Sequence, residues 1–436
     1  MKNQSISKMI EEVYMLRRAF VTNDFQTAID KLAKHSSVTI KDHTFPSGLE
    51  HNGWVIPKQW EVQKADLYYK GKRIYDGISH PLAVITHCSS FKGRLSLSEL
   101  KKHLYYADTR PNAIPFHFRF MYRPWEDDWG FCMPKTLYDS LEEGLYEVDI
   151  KTTFSNGTMV VREFILPGES DDSIIFAAHI DHAGQANDDV AGCVVGIQLL
   201  EQLKKQYQKR KYTYRLILTQ EIVGSVFYLQ NITSKERSDL KYGMFLEMLG
   251  NDNSLHLQKS LKGNTYIDSV AELALKELSK DFRVCNFRES AGNDEIVFEA
   301  PGYEIPMPSL SRWPYPEYHT SDDNMKIIFE DKLQQALDYL LKMTEILEKD
   351  VVVKRRFTGL VSLANPKYNL YIDPGQVINR TFGQNAKKVS FQYKMPNYLN
   401  GEYTISQIAS LFDLEFSWLY DYFEKMKNKK LIHFES

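Results

Sequence analysis

The chain lacks any CxxC pair, because its four cysteines, Cys88, Cys132, Cys193 and Cys285, stand far apart. That spacing excludes a thiolate zinc ribbon and does not read as a secreted disulfide framework. Buried free thiols in a cytoplasmic protein are expected. No apolar run is long enough to span a bilayer, so no membrane partner is expected. The N-terminus, MKNQSISKMIEEVYMLRRAF, has no apolar h-region, since Glu11 and Glu12 fall where one would lie. A signal peptide is therefore not expected. Net charge is also scarce, at -3, which gives no electrostatic case for nucleic acid. No internal repeat or low-complexity tract is present.

What remains is an ordinary globular composition, 43% hydrophobic and 25% charged. At 436 residues the chain is too long for one compact core, and two or three domains are expected. Residues 1–44 read as helical, from the stripe Ile10, Val13, Tyr14, Leu16, Phe20 and its continuation through Phe25–Leu32. Residues 45–145 are β-rich, with short runs such as Pro81–Thr86 and Phe116–Met121 between Gly and Pro breakers. From residue 146 to 350 the texture alternates. Thr158–Leu166, Ser173–Ala178, Tyr214–Thr219 and Tyr242–Leu249 read as strands, and Val190–Gln202 and residues 326–349 as helices. Such alternation predicts an α/β fold, with a mixed, mostly parallel sheet flanked by helices. In residues 351–436, Thr404–Leu411 and Phe416–Met426 read as two helices joined by a turn, and Lys430–Phe434 as a strand, like a winged helix.

Most of the residues that could do chemistry fall at the C-terminal ends of those strands, where open α/β sheets bind ligands. His179 follows a buried strand, and Asp181 lies two residues on, where a carboxylate can orient a metal-bound imidazole. Asn187-Asp188-Asp189 precedes a helix, so one Asp can cap it while the other binds metal. Glu221 follows the next strand and is either a ligand or a general base. Glu247 sits in the apolar run Met244–Leu249, and a buried carboxylate there needs a metal or a salt bridge. His319 arrives on a Pro-rich loop, SLSRWPYPEYHTSDD. Taken singly, each is as well explained as a cap, an ion pair or a loop histidine. Together they form the N/O donor set that catalytic zinc prefers.

The order HxD, NDD-x-AG, a Glu before Gly-Ser, an acid followed by Met in an apolar strand, and YHTS resembles the zinc-dependent aminopeptidases. More closely, the chain resembles bacterial proteins with an aminopeptidase-like domain, a β-rich insert and a C-terminal winged helix. Gly53–Trp60, Gly292-Asn293-Asp294-Glu295 and Arg312–Ser321 carry that closer likeness, which spans nearly the whole chain. The resemblance implies one zinc on His179, Asp188 and Glu247, and a second on Asp188, Glu221 and His319, with Asp188 bridging. Where the aminopeptidases carry their catalytic Glu, this chain has Gln220, and an amide cannot act as a carboxylate base. Two readings stay open. In the favoured one, Glu221 is the base of a one-zinc site held by His179, Asp188 and His319, with Glu247 as a fourth ligand and Asp181 orienting. In the other, Glu221 is a ligand and hydrolysis is impaired or uses another base.

The implied activity is zinc-dependent hydrolysis of a small peptide or amide. Arg312 is a candidate clamp for a substrate carboxylate, against a salt bridge to Glu317 or Asp322. Tyr318 is a candidate oxyanion donor, against half-buried packing. Asp294 is a candidate contact for a substrate amine, against a turn. The alternative is a metal-binding scaffold or regulator that acts through its tail. The acidic and aromatic positions of Phe416–Met426 suit a protein contact better than DNA. The insert's tryptophans, Trp54, Trp60, Trp125 and Trp129, suit core packing first, and a substrate groove or a homo-oligomer interface second.

Overall fold

The computed structural model describes residues 5–373 and 384–435. The first four residues of the helical N-terminal reading therefore lie outside the described part. Eight strands form one mixed sheet: β1 (Thr39–Pro46), β2 (Thr158–Leu166), β3 (Ser173–His179), β4 (Thr213–Thr219), β5 (Leu240–Leu246), β6 (Leu255–Gln258), β7 (Phe282–Cys285) and β8 (Ser309–Ser311), in the order β1-β2-β4-β3-β5-β8-β6-β7. Pairing is parallel across β4, β3, β5 and β8 and antiparallel at β1–β2, β2–β4 and β6–β8. The sequence SIIFAAH makes β3 the central strand because every residue in it is buried, as a strand covered on both faces requires. The helix Gly192–Gln206 packs against β3, β4 and β5, and the helix Val223–Asn231 against β1 and β2. Gly192 permits that closeness: a Cβ there would stand 2.5 Å from both the Asp189 carboxylate and the Leu246 carbonyl.

The N-terminal reading is half right. Ile6–Glu11 and Asn23–Ala33 are helices, but Thr39–Pro46 is a strand, so the expected boundary at residue 44 cuts through β1. The insert is built on a four-stranded antiparallel sheet of Lys72–Asp76, Gln59–Tyr69, Leu145–Ser155 and Phe91–Ser96. Its runs Pro81–Thr86 and Phe116–Met121 are not strands. They are apolar because Leu82, Val84, Ile85, Phe116, Phe120 and Met121 are buried by packing, without a ladder to join. Among its histidines, His103 stacks on Trp129 and His117 meets the Tyr105 ring at a tilt.

By contacts the chain divides into two compact units. One comprises Met1–Gly263 and Arg283–Leu337, the other Asn264–Phe282 and Asp338–Ser436. The second contains a three-stranded antiparallel sheet, Val352–Arg355 between Asn400–Thr404 and Ile432–Glu435. It also holds the helices Ile405–Phe412 and Phe416–Asn428, the first opened by a capping box at Thr404. All four cysteines are free, and Cys88, Cys132 and Cys193 are buried. Among the described residues no helix is long and apolar enough to cross a membrane.

Candidate metal centre

Three of the parallel strands end around one point. β3 ends at His179 and runs into Asp181 and His182, β4 runs into Gln220 and Glu221, and β5 runs into Glu247. The long loop after β8 brings back His319. Nearly all of these side chains are buried: His179 and Asp181 at 0% exposure, His182 and Asp188 at 1%, Glu247 at 3%.

Asp188 is the hub. Its Oδ1 lies 3.1 Å from His179 Nε2, and its Oδ2 lies 3.0 Å from His182 Nδ1 and 3.2 Å from His319 Nε2. Yet both ring nitrogens of His179 and Nε2 of His319 complete no hydrogen bond, nor do Asp181 Oδ2, Asp189 Oδ2 or Glu247 Oε2. Nitrogen and oxygen lone pairs set edge to edge at such distances are costly in a dry interior unless a cation lies between them. Two donors of a tetrahedral zinc, each at 2.0–2.1 Å from it, would stand about 3.3 Å apart. The donor set therefore fits such an ion.

Two groups bring three ligand atoms close together: His182, Asp188 and His319, and His179, Asp181 and His182. His182 belongs to both, and sequence reasoning missed it. The HxD pattern was closed at Asp181, although the phrase reads His179-Ile180-Asp181-His182. His182 is also tied to Glu221, with Nε2 3.3 Å from Oε2. Glu247 shares the interior but joins neither group; its Oε1 accepts from Asn293 Nδ2 at 2.8 Å.

Without a metal, charge is balanced within the cluster. Burial alone would lower His182, but the Asp188 and Glu221 carboxylates outweigh it and raise the imidazole to about 10. Burial would raise Glu221, but His182, His179 and the Tyr122 hydroxyl hold it down at about 2. At Glu247 burial outweighs the Asn293 amide and the His179 charge, and pushes the carboxyl up to about 8. Burial lowers His319.

The supports come from far along the chain. Arg18, fully buried, donates to the carbonyls of Ile180, His182 (2.7 Å) and Gln185 (2.9 Å), and so shapes the loop that carries His182. Asp323 accepts from the backbone N–H groups of Ala186 (3.0 Å), Asn187 (2.7 Å) and Asp188 (3.2 Å) and from the Tyr315 hydroxyl (2.6 Å). Asp181 Oδ1 accepts from the Glu221 N–H at 2.9 Å and lies 3.4 Å from His179 Nδ1. Three non-glycine residues at the site have positive φ: Ile222 at 60°, Met248 at 53° and His319 at 54°. Each such residue costs about 1–3 kcal/mol and persists only when its surroundings hold it. Here the Ile222 N–H donates to Asp294 (3.1 Å), the Met248 N–H to Asp189 (2.9 Å), and the His319 carbonyl accepts from Phe116 N–H (2.9 Å).

The insert forms part of the wall. Phe116 N–H and the Ile114 carbonyl bond to His319 and Ser321 of the histidine loop. Phe116 and Phe118 lie edge-on to His319, Phe116 also touches His182, and the Tyr122 hydroxyl donates to Glu221 Oε2. Arg110 of the insert pairs with Glu317 (3.3 Å) and Asp322 (2.6 Å), the acids considered as partners of Arg312.

Three sequence candidates take other positions. Arg312 is fully buried and donates to the carbonyls of Leu249 (3.0 Å), Asn253 and Lys332 (3.1 Å) and to the Gln335 amide oxygen (2.7 Å). It braces the ends of β5 and β8 and has no exposed face for a substrate carboxylate. Asp294 is fully buried and accepts from the Ser225 hydroxyl and Ile222 N–H, which fixes the turn after Glu221. Tyr318 stacks on His319 at 3.7 Å between centroids, so its ring sets the imidazole's plane. Gln220 faces the core, where its Nε2 donates to the carbonyls of Phe20 and Val160, both at 3.1 Å.

A family model described as Domain of unknown function (DUF4910) matches residues 7–350. A protein of Clostridium acetobutylicum, provisionally named a polysaccharide biosynthesis protein with aminopeptidase-like domain, is 26% identical over 348 residues, 79% of this chain and 78% of that one. A crystal structure from the same organism, provisionally called a peptidase, is similar with a TM-score of 0.84 at 23% identity, covering 99% of this chain and 96% of that chain. BSAP, a zinc aminopeptidase from Bacillus subtilis, gives a TM-score of 0.57 at 16% identity over 79% of this chain and 94% of its own. These likenesses show an aminopeptidase-type mixed α/β fold.

Proposed function

The chain belongs to the family described as Domain of unknown function (DUF4910), and from the residues its fold brings together we propose a zinc-dependent hydrolase of peptide or amide bonds in small substrates. The observation that carries this reading is the compact group His182, Asp188 and His319 at the strand ends of an aminopeptidase-type sheet, with the Glu221 carboxylate beside it. Three N/O ligands and an open position are what a catalytic zinc uses. In this assignment His179 stands beside Asp188, its Nε2 3.1 Å from Oδ1, and Glu247 lies nearby as a buried acid.

When bound, zinc supplies a Lewis acid that polarises the scissile carbonyl and acidifies water. The chain supplies the proton transfers. Glu221 is ionised at neutral pH and two hydrogen bonds, from Tyr122 and His182, fix its Oε2. Oε1 makes no hydrogen bond among the described residues, so it is the atom that takes a proton from the attacking water and returns it to the leaving nitrogen. Phe116, Phe118 and Tyr318 wall off bulk water from that exchange.

Gln220 keeps a second reading alive, a metal-holding scaffold without turnover, because only one carboxylate stands at the end of β4. A library of aminoacyl and simple amide substrates, offered to zinc-loaded protein, separates the two. The hydrolase reading expects turnover that falls about 10²–10⁴-fold in Glu221→Gln while zinc is retained. Stoichiometric zinc with no turnover on any substrate class would leave the scaffold.

A further inference from the structure

A second cavity, of about 530 Å³, opens on the insert side of the same unit. That volume falls within the ~300–1,000 Å³ of small-molecule sites. None of the metal-centre residues lines it. Its lining includes two large exposed aromatics, Trp125 at 66% and Phe154 at 44% exposure, together with Phe120 and Pro57.

His87 is among its lining residues. The imidazole is 6% exposed, and neither ring nitrogen completes a hydrogen bond. His87 also has φ of 62°, and Trp60 meets its ring edge-on at 5.7 Å. Burial lowers His87 to about 4, against the Phe120 backbone group that raises it, so at neutral pH it is a neutral imidazole that adds no charge to the cavity.

The charges around the cavity are of mixed sign, with Lys58 and Asp127 both in its lining. Glu126 pairs with Arg119 (2.8 Å) and Arg123 (3.0 Å), and Asp127 accepts from the Ser89 hydroxyl. Lys58 and Asn156 complete the polar lining. An ionic ligand would find no concentrated opposite charge here. A neutral ring with one apolar face and a polar edge would find aromatic faces to stack on and donors and acceptors for its hydroxyls. We propose that this cavity is a saccharide-binding site, in which Trp125 and Phe154 stack on a sugar ring and Lys58 and Asn156 bond its hydroxyls.

The test is calorimetric titration of the full-length protein with glucose, N-acetylglucosamine, cellobiose and chitobiose at millimolar concentrations. Saturable binding of at least one is expected. Trp125→Ala should weaken it by about tenfold or more, as the loss of a stacking face does. Trp125 is exposed, so the thermal midpoint should hold; Phe154→Ala is the second variant. Glu221→Gln should bind the sugar unchanged, because the cavity is separate from the metal centre. No saturable binding of any probe, binding indifferent to both aromatic substitutions, or binding lost in Glu221→Gln would overturn the proposal.

Discussion

Replacing Asp323 by Ala tests the framework that holds the centre. Asp323 is fully buried and takes four hydrogen bonds, from three successive backbone N–H groups and the Tyr315 hydroxyl. Truncation leaves three buried donors without their acceptor, because the Ala186 N–H keeps the Asp323 backbone carbonyl at 3.1 Å. Each unsatisfied buried group costs about 1–3 kcal/mol. Even the low end of that range sums to roughly 3 kcal/mol, at the upper edge of what single substitutions usually cost. Two of the donors freed are the N–H groups of Asn187 and Asp188, so the turn that aims Asp188 loosens as well. Outer-shell losses of this kind lower metal affinity about 10–100-fold. Asp323→Asn keeps one acceptor oxygen and should lose less on both counts. Urea denaturation of the metal-free protein reads the first effect, and zinc competition against a chelator the second. If Asp323→Ala unfolds within about 1 kcal/mol of the parent and binds zinc equally well, the reasoning fails.

Gln220→Glu restores the carboxylate expected of an aminopeptidase, but it sets an acid against the Phe20 and Val160 carbonyls. It should destabilise by about 1–3 kcal/mol and not raise hydrolysis; a gain in turnover would show that residue 220 reaches the centre. Tyr122→Phe removes one of the two hydrogen bonds on Glu221 Oε2. Turnover should fall about tenfold at unchanged zinc content, the loss of roughly 1.4 kcal/mol; unchanged turnover would remove Tyr122 from the mechanism. Glu163 gives an acid limb to stability. Burial would raise it, but His43, Arg215 and Tyr228 bond its carboxylate and hold it below its ordinary 4.5. Its contribution is present above pH 4.5 and lost as pH falls through the lower folded value. Urea midpoints below pH 4.5 should drop less in Glu163→Gln; identical acid limbs would contradict this.

The sheet was legible because its strands are apolar runs bounded by turns, and Thr158–Leu166 was read to the residue. Thr39–Pro46 was not, because an edge strand with four exposed residues at its start has no apolar run to betray it. Asp188, Glu221 and His319 were legible as candidate donors at strand ends or on a loop, and the fold brings them together around His182. His182 was passed over because local spacing fits Asp181 as well, and only the Arg18-braced loop turns His182 inward. Arg312 and Asp294 were open to misreading for the same reason. Their residue types suit a ligand, but their direction depends on backbone partners more than 50 positions away, such as Leu249 and Ile222.

The most direct test of the centre is the zinc content of purified protein and its variants, measured by mass spectrometry after dialysis. The account predicts one zinc per chain, lost in His182→Ala, Asp188→Ala and His319→Ala. In His179→Ala it should be retained with affinity lowered about 10–100-fold, as for a group acting behind a ligand. Absence of stoichiometric zinc, or full retention in His182→Ala, would contradict it.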